Sequence, residues 1–173
     1  MATMGAATRV SGLTMALTES ELRSFPRLQP GQFRETSPRT TSRRTTKYNC
    51  IAYAAGDVTK PWWPPVPNVK GYYWPPGAPV EETLSAFISA FQSLGYEVCD
   101  SPDYAPGFEK VALFAKPTGV PTHAATQYEN GRWRSKLGNL EDIEHDLHAV
   151  ECPIYGTVQV YMERPRVAQT EAN

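Results

Sequence analysis

The chain is short of the residues that carry most protein chemistry. It has only three histidines and three cysteines in 173 residues. Cys50, Cys99 and Cys152 form no CxxC pair and no Cys/His quartet, which argues against a structural zinc site. Neither a metal nor an organic cofactor is expected. No run of 18 apolar residues occurs, so no membrane-spanning helix is expected. The first 17 residues are only mildly apolar and are broken by Arg9, Ser11 and Thr14. They make a poor signal peptide, and a reducing cytoplasm is the expected compartment. Charge of one sign is also lacking, with a net charge of −1. Its distribution is uneven, because residues 1–47 hold eight Lys/Arg against three Glu. Only Phe25 and Phe33 fall among those arginines, so the stretch reads as a solvated linker and a nucleic-acid partner is not expected.

What is abundant is proline, with 16 residues, so long unbroken elements are not expected. Residues 1–17 read as a disordered leader, 18–164 as one domain and 165–173 as a disordered tail. Thr18 or Ser20 caps a short helix over 18–27, stopped by Pro26. Residues 28–47 lack periodicity and read as loop. A helix over about 48–56 carries Cys50 and ends at Gly56. The segment 60–79 holds Trp62, Trp63 and Trp74 among several prolines and is an ordered loop held by its rings. Those rings either wall a cleft or cap the core. Leu84, Phe87, Ile88, Phe91 and Leu94 give the one strongly amphipathic helix, with Glu81 and Glu82 at its start and Gly95 past its end. Strands are predicted over 96–99, 110–116, 122–128, 132–137 and 155–162, with a hairpin turn at Asn130-Gly131. Residues 140–150 read as an acidic helix with His145 and His148 on its solvated face. The sum is an α+β domain with a cysteine-bearing helix ahead of a small antiparallel sheet.

Cys50 opens its helix, where the positive end of the backbone dipole favours a thiolate. His123 follows on a strand about 70 residues later and is the best candidate base. A tight two-residue hairpin would set Lys136 opposite Ala125, whereas one more residue in the turn brings Ser135 towards the His123 side. Gln127 shares a face with His123 in either register. Cys99 and Cys152 read as core or strand-end residues.

A cysteine at a helix start, a strand histidine and a polar residue some twelve positions on resemble the papain-like hydrolases, above all the NlpC-type and CHAP-type amidases. The phrases Tyr48-Asn49-Cys50-Ile51-Ala52, Thr122-His123-Ala124-Ala125 and Trp133-Arg134-Ser135-Lys136-Leu137-Gly138 also resemble an uncharacterised, mostly bacterial domain family over roughly 18–164. The resemblance implies a papain-like fold, with Cys50 as nucleophile, His123 as base and Ser135 in the third place. The known branches put His, Asn, Asp or Glu there, so Ser135 departs from the pattern. The backbone N–H of Cys50, with Asn49 or Tyr48, would steady an oxyanion. One expectation is therefore a thiol hydrolase acting on an amide or peptide-like substrate. The other is a non-catalytic domain that binds a ligand or protein partner through an aromatic cleft of Trp62, Trp63 and Trp74, with Gln127 and Lys136 as further polar contacts. A transferase using the same thiol is a third.

Overall fold

A computed structural model describes residues 17–25, 38–65, 67 and 71–167. Nearly all of the expected leader and the end of the expected tail lie outside the described residues. The first helix, α1 (Glu19–Arg23), is shorter than predicted and starts in a capping box: Thr18 Oγ1 accepts from Glu21 N at 3.3 Å, and Glu21 accepts from Thr18 N at 2.9 Å. Residues expected to be loop then include a two-residue edge strand, β1 (Arg39–Thr40). The cysteine helix, α2 (Cys50–Ala54), is capped by Asn49 and followed by Gly56 at φ +84°.

The tryptophan segment folds down on α3 (Leu84–Gln92). Trp63 and Trp74 flank the Phe87 ring at 5.2 and 5.0 Å, and each buried Phe on α3 contributes roughly 1.5–3 kcal/mol. Thr83 caps α3, so Glu81 and Glu82 precede the helix instead of filling its first turn. The strands that follow are β2 (Glu97–Cys99), β3 (Phe108–Ala115), β4 (Pro121–Gln127), β5 (Trp133–Lys136), β6 (Asp142–His145) and β7 (Thr157–Pro165). They form one antiparallel seven-stranded sheet in the order β1-β6-β5-β4-β3-β7-β2.

The predicted helix over 140–150 is not formed. Residues 142–145 pair with β5 as β6, and only Leu147–Val150 turn, as a single 3-10 helix. Its acidic residues read as a solvated helix face, but all four β6 side chains are buried. Glu144 sits between Arg39, Arg132 and Arg134, so tertiary pairing overrides local propensity. The last strand also runs further than expected, and Arg166 N donates to Gly107 O at 2.7 Å.

The sheet is covered on both faces. Val111, Leu113, Ala124 and Met162 pack under α2 and α3 with Cys50, Ile51, Phe87 and Tyr96. Ala112, Phe114, Ala125, Trp133 and Ile143 point to the opposite face, covered by Phe25, Leu147, Val150 and Tyr155. Where β7 begins, Gly156 has φ +70°, and a Cβ there would lie 1.9 Å from Ala115 O. Only glycine fits that approach. No described helix is long and apolar enough to cross a membrane.

Candidate functional site

Alternation along β4 decides the geometry of the expected dyad. His123 pairs with Phe114 and Ala124 with Leu113, and paired residues of an antiparallel ladder share a face. Ala124 and Leu113 pack with Cys50 on the α2 face. His123 is on the other face, stacked on Tyr155 at 3.9 Å and edge-on to Phe114 at 5.2 Å. Both of its ring nitrogens are buried without a hydrogen-bond partner. The expected Cys50–His123 hydrogen bond is therefore absent; Cys50 Sγ donates instead to Thr122 O at 3.9 Å.

Protonation follows from burial. Cys50 is 7% exposed, and desolvation pushes its thiol up to about 11, against the N–H groups of Ala124, Ile51 and Cys50 and the nearby Lys136 ammonium. Burial, with the neighbouring His145, drives His123 well below the ordinary imidazole range. At neutral pH both groups are uncharged.

Ser135 does share the His123 face. Thr126 pairs with Arg134 and Gln127 with Trp133, and Tyr128 N donates to Arg132 O at 2.8 Å. The hairpin turn thus holds Glu129, Asn130 and Gly131, one more residue than the tightest form. Ser135 nevertheless serves His145, with Oγ 2.8 Å from His145 Nε2. His145 Nδ1 lies 2.7 Å from Asp146 O. A carbonyl can only accept, so Nδ1 carries the proton and Ser135 O–H donates to Nε2. His145 was expected on a solvated helix face. It is fully buried on a strand, and desolvation brings it down to about 4.

The face that Cys50 does share holds Lys136, Asp142 and Tyr48. Tyr48 O–H donates to Asp142 Oδ2 at 2.6 Å, and the Lys136 ammonium lies over the Tyr48 ring at 5.3 Å while donating to Leu140 O. Burial lowers the Lys136 pKa against the pull of Asp142 and Glu141. Asn49 is engaged locally: Oδ1 accepts from Ala52 N and Trp62 N at 3.1 Å each, and one Nδ2 N–H donates to Trp62 O at 2.7 Å. The tryptophan nitrogens are also committed, Trp62 to Asp57, Trp63 to Glu82 and Trp74 to Pro79 O. Trp62 is buried in the core, and Trp63 and Trp74 pack against it.

A cleft of about 570 Å³ lies elsewhere, beyond the C-terminal end of α2. Tyr53, Tyr96 and Tyr128 supply aromatic walls, and Arg164 and Arg166 face Glu109 and Glu129. Arg164 holds Glu109 at 2.7 Å and Arg166 holds Glu129 at 3.3 Å. Gln127 reaches this cleft but is pinned to Pro102 O and Gly131 O. Sequence reasoning missed the cleft because its walls come from α2, β3, β4 and β7. The only local signal was the alternation of Arg164 and Arg166 about Pro165. Among the described residues no group of three His, Cys, Asp or Glu is placed to hold a metal.

Fold and site define an α+β domain in which a helix-start thiol is sealed against an antiparallel sheet, with an open mixed-polarity cleft beside it. The chain belongs to the family described as domain of unknown function DUF7689, which matches residues 39–163. No curated protein and no solved structure matches the chain.

Proposed function

We propose that this chain is a non-catalytic binding domain on a papain-like scaffold, working through the cleft walled by Tyr53, Tyr96 and Tyr128. The cysteine helix preceding an antiparallel sheet supports the papain-like reading. The observation that carries the binding reading is the separation of Cys50 and His123 across the sheet, both uncharged and buried. A nucleophile needs its base within hydrogen-bond reach. Three free thiols suit a reducing compartment, and the cytoplasm remains the proposed location.

Alkylation of the native protein tests this reading. At pH 6 to 8, iodoacetamide should label the half-buried Cys99 ahead of Cys50 and Cys152. Labelling of Cys50 first at pH 6 would overturn it. Cys50→Ala should leave ligand binding unchanged and lower stability by about 1 kcal/mol, the order expected for trimming a small buried side chain.

One observation favours the thiol-hydrolase reading as a second. Three backbone N–H groups and the Lys136 ammonium all favour the Cys50 thiolate and are opposed only by burial. In that reading a bound amide or peptide opens the sulfur to water, and the alkylation rate of Cys50 rises steeply when substrate is added.

A further inference from the structure

The chemistry of the cleft narrows what it can hold, given the binding reading above. Its charges are balanced and already paired: Arg164 with Glu109 through two nitrogens at 2.7 and 2.8 Å, and Arg166 with Glu129. An anion would have to displace a local carboxylate from each guanidinium, and a cation would have to displace each guanidinium from its carboxylate. A neutral ligand rich in hydroxyls avoids both costs, since each hydroxyl donates to the carboxylate and accepts from the neighbouring N–H groups.

The walls fit the same chemistry. Tyr128 is 40% exposed, and the Arg134 guanidinium lies 3.5 Å from its ring centroid, holding the phenol in place. Tyr96 is held in the same way by Arg164 at 4.5 Å. Tyr96 is buried under that guanidinium, so Tyr128 is the ring that offers a flat face to the C–H face of a sugar ring. Burial raises the Tyr53 pKa, which keeps its O–H a neutral donor. A peptide bound by strand addition is disfavoured. Glu109, Thr126, Gln127 and Arg164 lie on β3, β4 and β7, which all pair on both sides, so they present no free strand edge. The volume of about 570 Å³ falls within the range of small-molecule sites, roughly 300–1,000 Å³.

We infer that this cleft binds a neutral saccharide, with Tyr128 as the stacking platform and the Arg166–Glu129 and Arg164–Glu109 pairs reading its hydroxyls. The test is saturation-transfer NMR on the full chain with glucose, N-acetylglucosamine, galactose and cellobiose at millimolar concentration. Inorganic phosphate and a neutral pentapeptide are the comparison probes. At least one sugar should receive saturation on its ring protons, insensitive to salt between low and physiological ionic strength. Tyr128→Ala and Arg166→Met should each weaken it roughly tenfold or more, while Ile154→Ser, exposed ahead of β7 and not part of the cleft lining, should leave it unchanged. Circular dichroism and thermal melting establish that each variant folds. No transfer to any sugar overturns the saccharide assignment, as does sugar binding that survives both cleft variants. If phosphate or the pentapeptide binds instead and Tyr128→Ala abolishes it, the cleft is a binding site for another class and only the saccharide assignment falls. If no probe binds and Cys50 alkylates first, the binding reading falls with it.

Discussion

A thiol beside N–H donors is only as acidic as its contact with water permits, and Cys50 illustrates the balance residue by residue. Donors from α2 and β4 and the Lys136 ammonium pull its pKa down, but desolvation pushes it up further. His123 carries a complementary cost, because two buried ring nitrogens lack partners. Replacing such a group by an apolar one of similar shape removes a desolvation penalty. His123→Phe, seated between Phe114 and Tyr155, should therefore hold or raise stability by about 1–2 kcal/mol in urea titrations; a loss of several kcal/mol would show that the imidazole has a partner. Lys136 behaves oppositely. It is fully buried, with Asp142 and Glu141 as charge partners. Lys136→Met should cost roughly 3 kcal/mol, since it removes the ammonium beside the buried Asp142 carboxylate, while Glu141 keeps Arg44 at 2.9 Å, and the same titration reads it.

At the scale of elements, the cap of α2 is the most consequential local device. Asn49 terminates the helix and clasps the tryptophan loop in one side chain. Asn49→Ala should cost about 2 kcal/mol, the cap plus a stranded Trp62 N–H, with a red-shifted tryptophan emission as the loop loosens. The amphipathic pattern of α3 and the Asn130-Gly131 turn were legible in sequence because each depends on neighbours within a few positions. The identity of β6 was not. Its Asp-Ile-Glu-His run has no period-2 apolar signal, since three of its four buried positions are polar and find partners in other segments: Asp142 in Tyr48, Glu144 in Arg39, Arg132 and Arg134, and His145 in Ser135. The hairpin register was open for a related reason: one residue more or less in the turn exchanges Ser135 for Lys136 on the His123 face.

For the molecule as a whole, two buried neutral histidines set the acid limb of stability. His145 titrates near 4 in the folded chain against an ordinary value of 6.5, chiefly through burial, and His123 is shifted the same way. Below pH 6.5 the unfolded chain takes up protons that the folded chain refuses, so stability is fully present above that value and falls as pH drops towards 4. The His145 share is roughly 3 kcal/mol. Carboxylates held low by their partners, such as Asp57 at about 2 and Glu144, add to the loss only at still lower pH. Urea midpoints should therefore decline between pH 6.5 and 4.5, and His145→Gln should flatten that decline.

The sequence by itself determined the α+β class, the placement of most elements and the position of Cys50 at a capped helix start, because turn chemistry and short-range periodicity act locally. Only the tertiary structure decided that His123 turns away from Cys50, that Ser135 serves His145, and that Tyr53, Tyr96, Tyr128, Arg164 and Arg166 meet around one cleft. Those outcomes rest on strand alternation, register and long-range pairing, where a shift of a single residue moves a side chain through the sheet to its opposite face.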